Sequence, residues 1–310
     1  MDVRSLDGKT ALVTGAGSGI GRATALAFAA RGAHLVLCDV NEIGLAETAE
    51  TARRLGRDVL ARRVDVARAD EMRAFGDLVH AQVEAVDILM NNAGVGLGGG
   101  FLHTTLDDWS WIIGINLLGV IHGCHFFLPA MVRRRRGGHV VNVASAAGYV
   151  ATEPLAAYST TKFGVVGLSE ALRDELLPHG IGVTAVCPGL INTPITQTSP
   201  LRGPEATPEA RAYMIDVYRR RNYSAERVAS HVLSAIQRNR AVAPISPEAW
   251  FMYLMKRFAP GLLARLNRAM AERTRREVER RRTRAWAWAA ASCTPRWTIG
   301  AGSSASICWA

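Results

Sequence analysis

The sequence predicts an α/β protein built on a doubly wound sheet of seven parallel strands. Two observations predict this class: short apolar segments alternate with segments of helical periodicity, and a glycine-rich turn joins the first strand to the first helix. The chain has 310 residues, of which 49% are hydrophobic and 29 are glycine. This length can bury one large core, and the glycines suit tight turns between strands and helices. We therefore expect one α/β domain with a C-terminal attachment.

Seven apolar segments bounded by turn residues are predicted as strands. They span residues 9–14, 33–39, 58–64, 86–90, 139–144, 181–187 and 240–245. In a parallel sheet of this kind, ligands bind at the carboxyl ends of the strands.

Segments with apolar residues at helical spacing are predicted to connect these strands. They span residues 22–32, 42–55, 69–84, 107–136 and 224–238. Residues 195–222 are predicted to be irregular and amphipathic, and they occupy the place of a lid over a substrate. Asn116 lies inside a predicted helix, where asparagine is slightly unfavourable, and neighbouring leucines favour its burial over solvent exposure.

The first turn, TGAGSGIG, carries glycines at Gly15, Gly19 and Gly21 directly between a strand and a helix. Glycines at such a turn let backbone N–H groups approach a pyrophosphate at the positive end of the helix. The alternative is a tight turn that binds nothing. The next strand favours the first interpretation.

That strand ends at Asp39, which comes 18 residues after Gly21, close to the distance at which a carboxylate meets the adenosine ribose. A carboxylate there would repel a 2′-phosphate, so NAD is favoured over NADP. Arg22 keeps NADP open because a cation beside the turn can reach a phosphate. Asp39 has a second interpretation as a helix N-cap, which is compatible with the first.

Tyr158 and Lys162 lie four residues apart, so a helix places both side chains on one face. A free phenol has a pKa near about 10, and an adjacent ammonium would lower it and yield a proton donor and acceptor near neutral pH. A Tyr/Lys pair at this spacing is also common on ordinary helix surfaces. Ser145 is delivered by the strand before this helix, and Asp65 and Asn92 follow two earlier strands.

The basic charge of the chain belongs to its C-terminal part. Twelve Lys/Arg and three Glu lie from Lys256 onward, which accounts for +9 of the formal net charge of +10. The nearly neutral body weakens a nucleic-acid function. The five cysteines lack CxxC spacing, which indicates a reduced cytosol and no structural metal. No signal peptide or transmembrane run is predicted, so a cytoplasmic location is expected.

Taken together, these motifs closely resemble the short-chain dehydrogenase/reductase family over about residues 5–245. The motifs, in order, are TGAGSGIG, Asp65-Val66, NNAG, Asn116, Ser145, YSTTK and PGLINTP. The resemblance implies a Rossmann fold over residues 1–246 and homodimers or homotetramers formed through the helices that carry Asn116 and Tyr158.

The resemblance also implies a catalytic tetrad. Tyr158 would be the general acid/base, and Lys162 would lower its pKa and bind the nicotinamide ribose. Ser145 would hold the substrate oxygen, and Asn116 would anchor a water that relays protons to Lys162.

A nicotinamide dinucleotide would lie along the same edge of the sheet, with no metal. The contacts that the resemblance implies are Gly15, Ser18, Gly19, Ile20, Gly21, Asp39, Asp65, Val66, Asn92, Ala93, Gly94, Tyr158, Lys162, Pro188, Gly189, Ile191 and Thr193.

The C-terminal part divides into a basic helical extension, 247–284, and a tail, 285–310. Aromatic and aliphatic residues of the extension are interleaved with Lys and Arg, as in a helix at a membrane surface. The alternative is a helix that packs over the substrate pocket or on a neighbouring subunit. The tail holds four of the seven tryptophans without a clear period and is predicted to be disordered.

The leading hypothesis is an NAD(P)-dependent oxidoreductase acting on an apolar secondary alcohol or ketone, steroid-, retinoid- or lipid-like. A second is an NADPH-dependent 3-ketoacyl or carbonyl reductase. A third, from another class, is a membrane-surface or nucleic-acid-binding protein on a dinucleotide fold. The intact tetrad counts against the third, and nucleic acid is not expected as a partner.

Overall fold

A computed structural model describes residues 5–203, 206–270, 272–273, 276, 280 and 283. Within them, seven parallel strands form one sheet in the order β3-β2-β1-β4-β5-β6-β7, which confirms the doubly wound fold. The strands are β1 Thr10–Thr14, β2 His34–Asp39, β3 Val59–Arg63, β4 Ile88–Asn91, β5 Gly138–Val143, β6 Ile181–Pro188 and β7 Val242–Ile245.

Helices cover both faces of this sheet and continue past its last strand. They are α1 Gly19–Ala29, α2 Glu42–Arg54, α3 Ala69–His80, α4 Leu106–Ile113, α5 Gly119–Arg134, α6 Ala156–Leu176, α7 Ile195–Thr198, α8 Pro208–Arg221, α9 Ala225–Gln237, α10 Pro247–Phe258 and α11, residues 260–270.

Successive side chains along a strand point to opposite faces of the sheet, as the pleat requires, and β1 shows this clearly. Leu12 packs in one hydrophobic cluster, whereas Ala11 and Val13 pack in the other. All three are fully buried. Both faces of the sheet are therefore covered, which explains why its strands read as continuous apolar runs.

The chain reverses direction across the sheet between β1 and β4, and a crevice forms where their carboxyl ends separate. Thr14 Oγ1 joins these two ends, accepting hydrogen bonds from the N–H groups of Asn92 and Ala93, each at 3.0 Å. The glycine-rich turn begins at this crevice, and so the topology alone marks it as a ligand site.

The helix predicted over 107–136 is confirmed, but it is not regular. A π-helical turn, Gly114–Leu118, separates α4 from α5, and Asn116 at its centre is fully buried. The continuous segment Leu106–Arg134 has the length and apolar composition of a membrane span, with 44% of its apolar window buried inside the protein. Its residues Phe127 and Met131 belong to the core beside the sheet, which accounts for that composition.

The prediction of irregular structure over 195–222 is wrong. The segment forms α7 and α8, and Thr207 caps α8 by accepting a hydrogen bond from the Ala210 N–H at 3.2 Å. The helical extension contains α10 and α11, while the expectation of disorder over 285–310 lies outside the described residues. The domain boundaries at 246 and 284 remain predictions.

Candidate active site

The glycine-rich turn packs directly against the end of β4. A Cβ added to Gly15 would lie 2.7 Å from the Ala93 Cα, and its φ of +65° suits glycine. Asn92 braces the turn: its Nδ2 donates to the carbonyl oxygens of Thr14 at 2.9 Å and Gly15 at 3.1 Å. The Asn92 side chain, expected to contact the cofactor, therefore holds the turn in shape.

The amino end of α1 fits an anionic ligand. Ser18 is the N-cap residue in extended conformation, yet its side chain makes no capping hydrogen bond, and the first turn carries no acidic residue. The positive end of the helix dipole thus has no carboxylate from its own first turn. Gly21 lets the turn close, because a Cβ there would run into the Gly15 carbonyl oxygen and the Asn92 amide. These residues fit the pyrophosphate of a dinucleotide.

Asp39 lies beside this turn, as the sequence predicts. Its Oδ2 accepts a hydrogen bond from the Gly17 N–H at 2.7 Å, and its Oδ1 accepts one from the Asn41 N–H at 2.8 Å. The N-cap of α2 is Asn41, whose side chain accepts from the Gly44 N–H at 3.1 Å. The alternative role of Asp39 as that cap is therefore wrong.

Arg22 is half-buried, and three partners hold its guanidinium in place. Its Nη2 donates to the carbonyl oxygens of Gly17 at 2.6 Å and Gly44 at 3.0 Å, and to Glu47 Oε2 at 2.9 Å. These bonds fix the guanidinium against the backbone of the turn and of α2. A 2′-phosphate would have to compete with them.

The loop after β6 closes the cofactor side of the site. A Cβ added to Gly19 would lie 3.5 Å from the Thr193 side chain, so the loop reaches the glycine-rich turn. Ile191 is buried at 4% exposure. Asp65 and Val66 lie on the same edge, but their polar groups make protein contacts: Asp65 Oδ1 accepts from the Ala67 N–H at 3.0 Å.

Tyr158 and Lys162 project from α6 beside the end of β5. Lys162 is buried, and its Nζ donates to the Val143 carbonyl oxygen at 2.9 Å while lying 5.8 Å from the Tyr158 ring centroid. Ser145, two residues after Val143, accepts a hydrogen bond on Oγ from the Ala147 N–H at 3.1 Å. The structure thus brings together the three groups that the sequence selected.

The pKa values differ from the expectation that Lys162 lowers that of Tyr158. Burial raises the pKa of Tyr158 to about 12, with the hydrogen bond to Ser145 opposing the rise. Burial lowers the pKa of Lys162 to about 8. Removal of the phenol from water is the largest cause of the rise, so at neutral pH Tyr158 is a protonated donor.

Asn116 occupies the same pocket through its π-helical turn. Its Oδ1 accepts from the Val95 N–H at 2.8 Å, and its Nδ2 donates to the Val95 carbonyl at 2.9 Å and lies 3.3 Å from Thr161 Oγ1. A Cβ on Gly94 would lie 3.2 Å from Asn116 Oδ1 and 3.5 Å from Lys162 Nζ. The side-chain amide therefore positions the 94–95 backbone, and the water relay remains a prediction.

Several contacts were not predicted from the sequence; they involve α10 and residues 195–222, which we call the substrate side because they occupy the place of the expected lid. Arg202 pairs with Asp108 at 2.8 Å, and Arg221 pairs with Glu248 at 2.8 Å. The Tyr149 hydroxyl donates to the carbonyl of a residue in α10 at 2.7 Å. Local sequence spacing does not predict these contacts, because the residues in each pair lie 27 to 100 positions apart in the chain.

Comparison with known proteins agrees with this geometry. The family model described as short chain dehydrogenase matches residues 9–202. The chain belongs to the short-chain dehydrogenase family of oxidoreductases. The match covers the glycine-rich turn, Asp39, Asn116, Ser145, Tyr158, Lys162 and the loop after β6.

Two curated relatives are similar over most of the family domain. "Probable oxidoreductase EphD" of Mycobacterium tuberculosis is 39% identical over 255 residues, which are 81% of this chain and 43% of that protein. The chain thus spans less than half the length of this relative. "Estradiol 17-beta-dehydrogenase 11" of Homo sapiens is 39% identical over 210 residues, 66% of this chain and 70% of that protein.

A solved structure is similar throughout the sheet. It is a short chain dehydrogenase/reductase from Burkholderia phymatum in complex with NAD, with 35% identity and a TM-score of 0.71. The likeness covers 77% of this chain and 89% of that one.

Proposed function

We propose that this chain is an NAD-dependent oxidoreductase that interconverts an apolar secondary alcohol and its ketone. The observation that carries the proposal is the meeting of Ser145, Tyr158 and Lys162 at the strand ends beside the glycine-rich turn. A turn that only bound a nucleotide would have no use for a half-buried phenol and a buried amine next to it.

When bound, the nicotinamide would supply or accept the hydride. Tyr158 would transfer the proton to or from the substrate oxygen, and Ser145 would hold that oxygen by a hydrogen bond. Lys162 would supply positive charge close to the phenol. With its pKa raised to about 12 by burial, Tyr158 carries its proton near neutral pH and can donate it in the ketone-reducing direction.

The decisive experiment is Tyr158→Phe, which removes the hydroxyl and keeps the ring. Turnover should fall by about 10²- to 10⁴-fold, the usual contribution of a general acid or base. NADH affinity, measured by fluorescence, should stay within about threefold because the variant leaves the glycine-rich turn intact.

Tyr253→Phe is the matched control. Tyr253 lies on α10, with its ring edge-on to Tyr149 at a centroid distance of 5.5 Å, and it has no place in the proposed chemistry. Equal activity of the two variants would remove Tyr158 from the mechanism.

NAD is proposed over NADP because of two contacts described above. The Asp39 carboxylate would repel a 2′-phosphate, and Arg22 is bound to Glu47 and to backbone carbonyls. Asp39→Ala should reduce the preference for NADH over NADPH by about tenfold or more. Glu42→Ala removes an exposed carboxylate nearby and should leave the ratio unchanged.

The second candidate, an NADPH-dependent 3-ketoacyl or carbonyl reductase, makes the opposite prediction. It requires tighter binding of NADPH than of NADH by the unaltered protein. That result would replace the NAD-dependent proposal while leaving the role of Tyr158 in place.

An apolar substrate is supported by α8. Met214, Ile215 and Val217 are all half-buried, and no residue of this helix is fully buried, as befits a cover over an apolar space. The relative named estradiol 17-beta-dehydrogenase 11 supports the same class, steroid-, retinoid- or lipid-like. A panel of such alcohols and ketones, assayed by NADH absorbance, would test it; activity confined to small polar alcohols would contradict it.

Assembly into homodimers or homotetramers is proposed through α4, α5 and α6. Large apolar side chains are exposed on these helices and on the π-helical turn between α4 and α5, and burying them in a partner would be favourable. They are Leu106, Trp111, Leu118, Ile121 and Phe163. A monomer in sedimentation at micromolar concentration would contradict this assembly; a cytoplasmic location stays a prediction.

Contact with an anionic membrane is proposed for the extension. The described helices α10 and α11 pack on the protein through Ala249 and Leu263, which are buried. Each helix exposes apolar residues spaced by three or four, and together these residues are called the stripe. The stripe is Phe251, Leu254, Phe258, Leu262, Leu266 and Met270.

Charge selects the partner of this stripe. Exposed cations lie on the same helices, at Lys256, Arg257, Arg265 and Arg268. A second copy of the chain would bring these cations together, whereas anionic lipid headgroups would attract them. The double variant Phe258→Ser, Leu262→Ser should reduce sedimentation with phosphatidylglycerol vesicles by about tenfold or more.

The matched control is Leu102→Ser, which removes an exposed leucine from a different surface. Equal vesicle binding by the double variant and the unaltered protein would contradict the membrane proposal. Loss of self-association with no vesicle binding would instead identify a second copy as the partner.

A further inference from the structure

The carboxylate of Glu248 joins two segments that border the candidate site. Its Oε1 accepts a hydrogen bond from the Leu190 N–H at 3.1 Å, and its Oε2 accepts one from Arg221 Nη2 at 2.8 Å. Leu190 lies in the loop that carries the expected cofactor contacts Gly189 and Ile191, and Arg221 ends α8. One side chain of the C-terminal extension therefore bridges the cofactor loop and the helix over the substrate space.

The approach of this carboxylate depends on a glycine in the loop. A Cβ added to Gly189 would lie 2.7 Å from Glu248 Oε1 and 2.5 Å from Ser246 Oγ. The Gly189 N–H also donates to the Ile245 carbonyl at 3.1 Å, so β7 holds the same loop. The loop and the start of the extension are therefore in close contact at Gly189.

The backbone before Glu248 is strained. Ser246 has φ +91° and ψ 151°, a conformation found almost only in glycine, and it is buried at 4% exposure. Strained backbone persists only where the surrounding contacts enforce it. Here those contacts orient the first turn of α10, which carries Glu248.

The pair with Arg221 is partly shielded from water, with side-chain exposures of 35% for Arg221 and 21% for Glu248. Burial acts to raise the pKa of Glu248, but its hydrogen bonds, foremost the one from Arg221, bring that pKa below its usual value. Glu248 is therefore ionised at neutral pH, and the bridge is charge-assisted.

The α8 end of the bridge also borders the proposed proton donor. Tyr218, three residues before Arg221 and so on the same face of α8, is one of the groups whose proximity raises the pKa of Tyr158. Asn192, in the cofactor loop, donates its N–H to the Tyr223 carbonyl just after α8, at 3.0 Å. The loop and the helix thus have a common boundary, and Glu248 spans it.

We infer that Glu248 is a positioning residue that couples the cofactor loop to α8, so that occupancy of the dinucleotide site orders the helix over the substrate space. This inference rests on the proposed function. It requires that a dinucleotide contact the loop at residues 188–193, and it assigns to the extension a part in substrate binding.

The test is hydrogen exchange of the full chain with and without NADH. In the unaltered protein, NADH should slow exchange of the α8 amides by about fivefold or more. Glu248→Gln keeps an oxygen for the Leu190 N–H but removes the charge that binds Arg221. NADH should bind this variant within about threefold of the unaltered protein, while the slowing in α8 disappears.

Arg221→Gln breaks the same bridge from its other side and should give the same uncoupled behaviour, which guards against misfolding of one variant. Asp216→Asn is the matched control, because Asp216 lies on α8 and pairs only with Arg219 and Arg220 of that helix among the contacts described. In this variant NADH should slow the exchange of the α8 amides as much as in the unaltered protein.

Two outcomes overturn the coupling: NADH binds the unaltered protein without slowing exchange in α8, or Glu248→Gln retains the full slowing. A different outcome, failure of the unaltered protein to bind NADH or NADPH at all, defeats the proposed function instead. The two failures are therefore separable in one set of measurements.

Discussion

The two sides of the candidate site are built by different means. On the cofactor side, main-chain groups are held by other main-chain groups or by short side chains such as Asn92 and Asp39, at distances of 2.7 to 3.1 Å. On the substrate side, α8 has no fully buried residue, and the segment is held by two long-range ion pairs, Arg202–Asp108 and Arg221–Glu248. The first arrangement tolerates little change, whereas the second can be altered without disturbing the sheet.

The largest effect should come from the cofactor side, with Gly21→Ala. The added Cβ would meet the Gly15 carbonyl and the Asn92 amide, neither of which can withdraw without opening the turn. We expect a loss of about 3 kcal/mol in the free energy of unfolding and a fall in NADH affinity of about a hundredfold or more. Chemical denaturation and fluorescence titration measure the two.

Gly167→Ala in α6 is the control for that variant, because a Cβ there meets nothing within 4 Å. It should stabilise the helix by about 0.5–1 kcal/mol. If Gly21→Ala behaved like Gly167→Ala, the turn would not be as tightly packed as the structure shows.

An effect of intermediate size on the free energy of unfolding is expected for Lys162, which lies between the two sides of the site. Lowering its pKa from 10.5 to about 8 corresponds to about 3 kcal/mol of unfavourable burial of the charged amine. Lys162→Met should relieve this and lose about 1 kcal/mol from the bond to Val143, a net stabilisation of about 2 kcal/mol at pH 7. Turnover should be lost at the same time.

The pH dependence of stability also reports on the burial of Lys162. Between about pH 8 and pH 10.5 the unfolded chain keeps the Lys162 proton that the folded chain has released, so the unaltered protein gains stability as pH rises. The advantage of Lys162→Met in melting temperature should therefore shrink from pH 7 to pH 10. An advantage that grew with pH would contradict the burial of a charged amine.

The smallest effect should come from the substrate side, with Arg202→Gln. The Asp108 carboxylate, 9% exposed and with its pKa lowered to about 2 chiefly by the hydrogen bond from Arg202, would lose its ionic partner. We expect a loss of about 1–2 kcal/mol in the free energy of substrate binding. It would appear as a rise of about fivefold to thirtyfold in KM for the alcohol that the panel identifies. NADH affinity should not change.

Arg219→Gln provides the comparison, since Arg219 forms an exposed pair on the outer face of α8 and should leave KM as it is. A change in NADH affinity on Arg202→Gln would show that the Arg202–Asp108 pair also supports the cofactor side, in addition to the bridge made by Glu248.

This contrast also explains what could be predicted from the sequence. The glycine-rich turn, Asp39 and the Tyr158/Lys162 pair depend on interactions within one turn or between adjacent strands, so periodicity and spacing locate them. Strand positions were likewise predicted within about two residues, because each strand is a continuous apolar run between turns.

The rest depends on contacts that no local pattern encodes. The helicity of α8 was missed because its weakly amphipathic sequence resembles a loop, and Glu248 because its partners lie 27 and 58 residues away. The burial that raises the pKa of Tyr158 was not predicted because spacing reveals the nearby Lys162 but not the other surroundings of the phenol. The lowering of that pKa by Lys162 stays a prediction.

The π-helical turn at Asn116 has a consequence for how this chain can change in length. A π-helical turn holds one residue more than an α-helical turn, and each residue of an α-helix advances about 100° around the axis. The extra residue is held within Gly114–Leu118, so Ile112 before it and Phe127 after it both face the core. Deleting one residue there would allow a regular α-helical turn with little rotation of α5 relative to α4, but it would displace Asn116 from Val95. The length of this turn is therefore tied to the placement of Asn116 in the candidate site and not to the packing of the two helices that flank it.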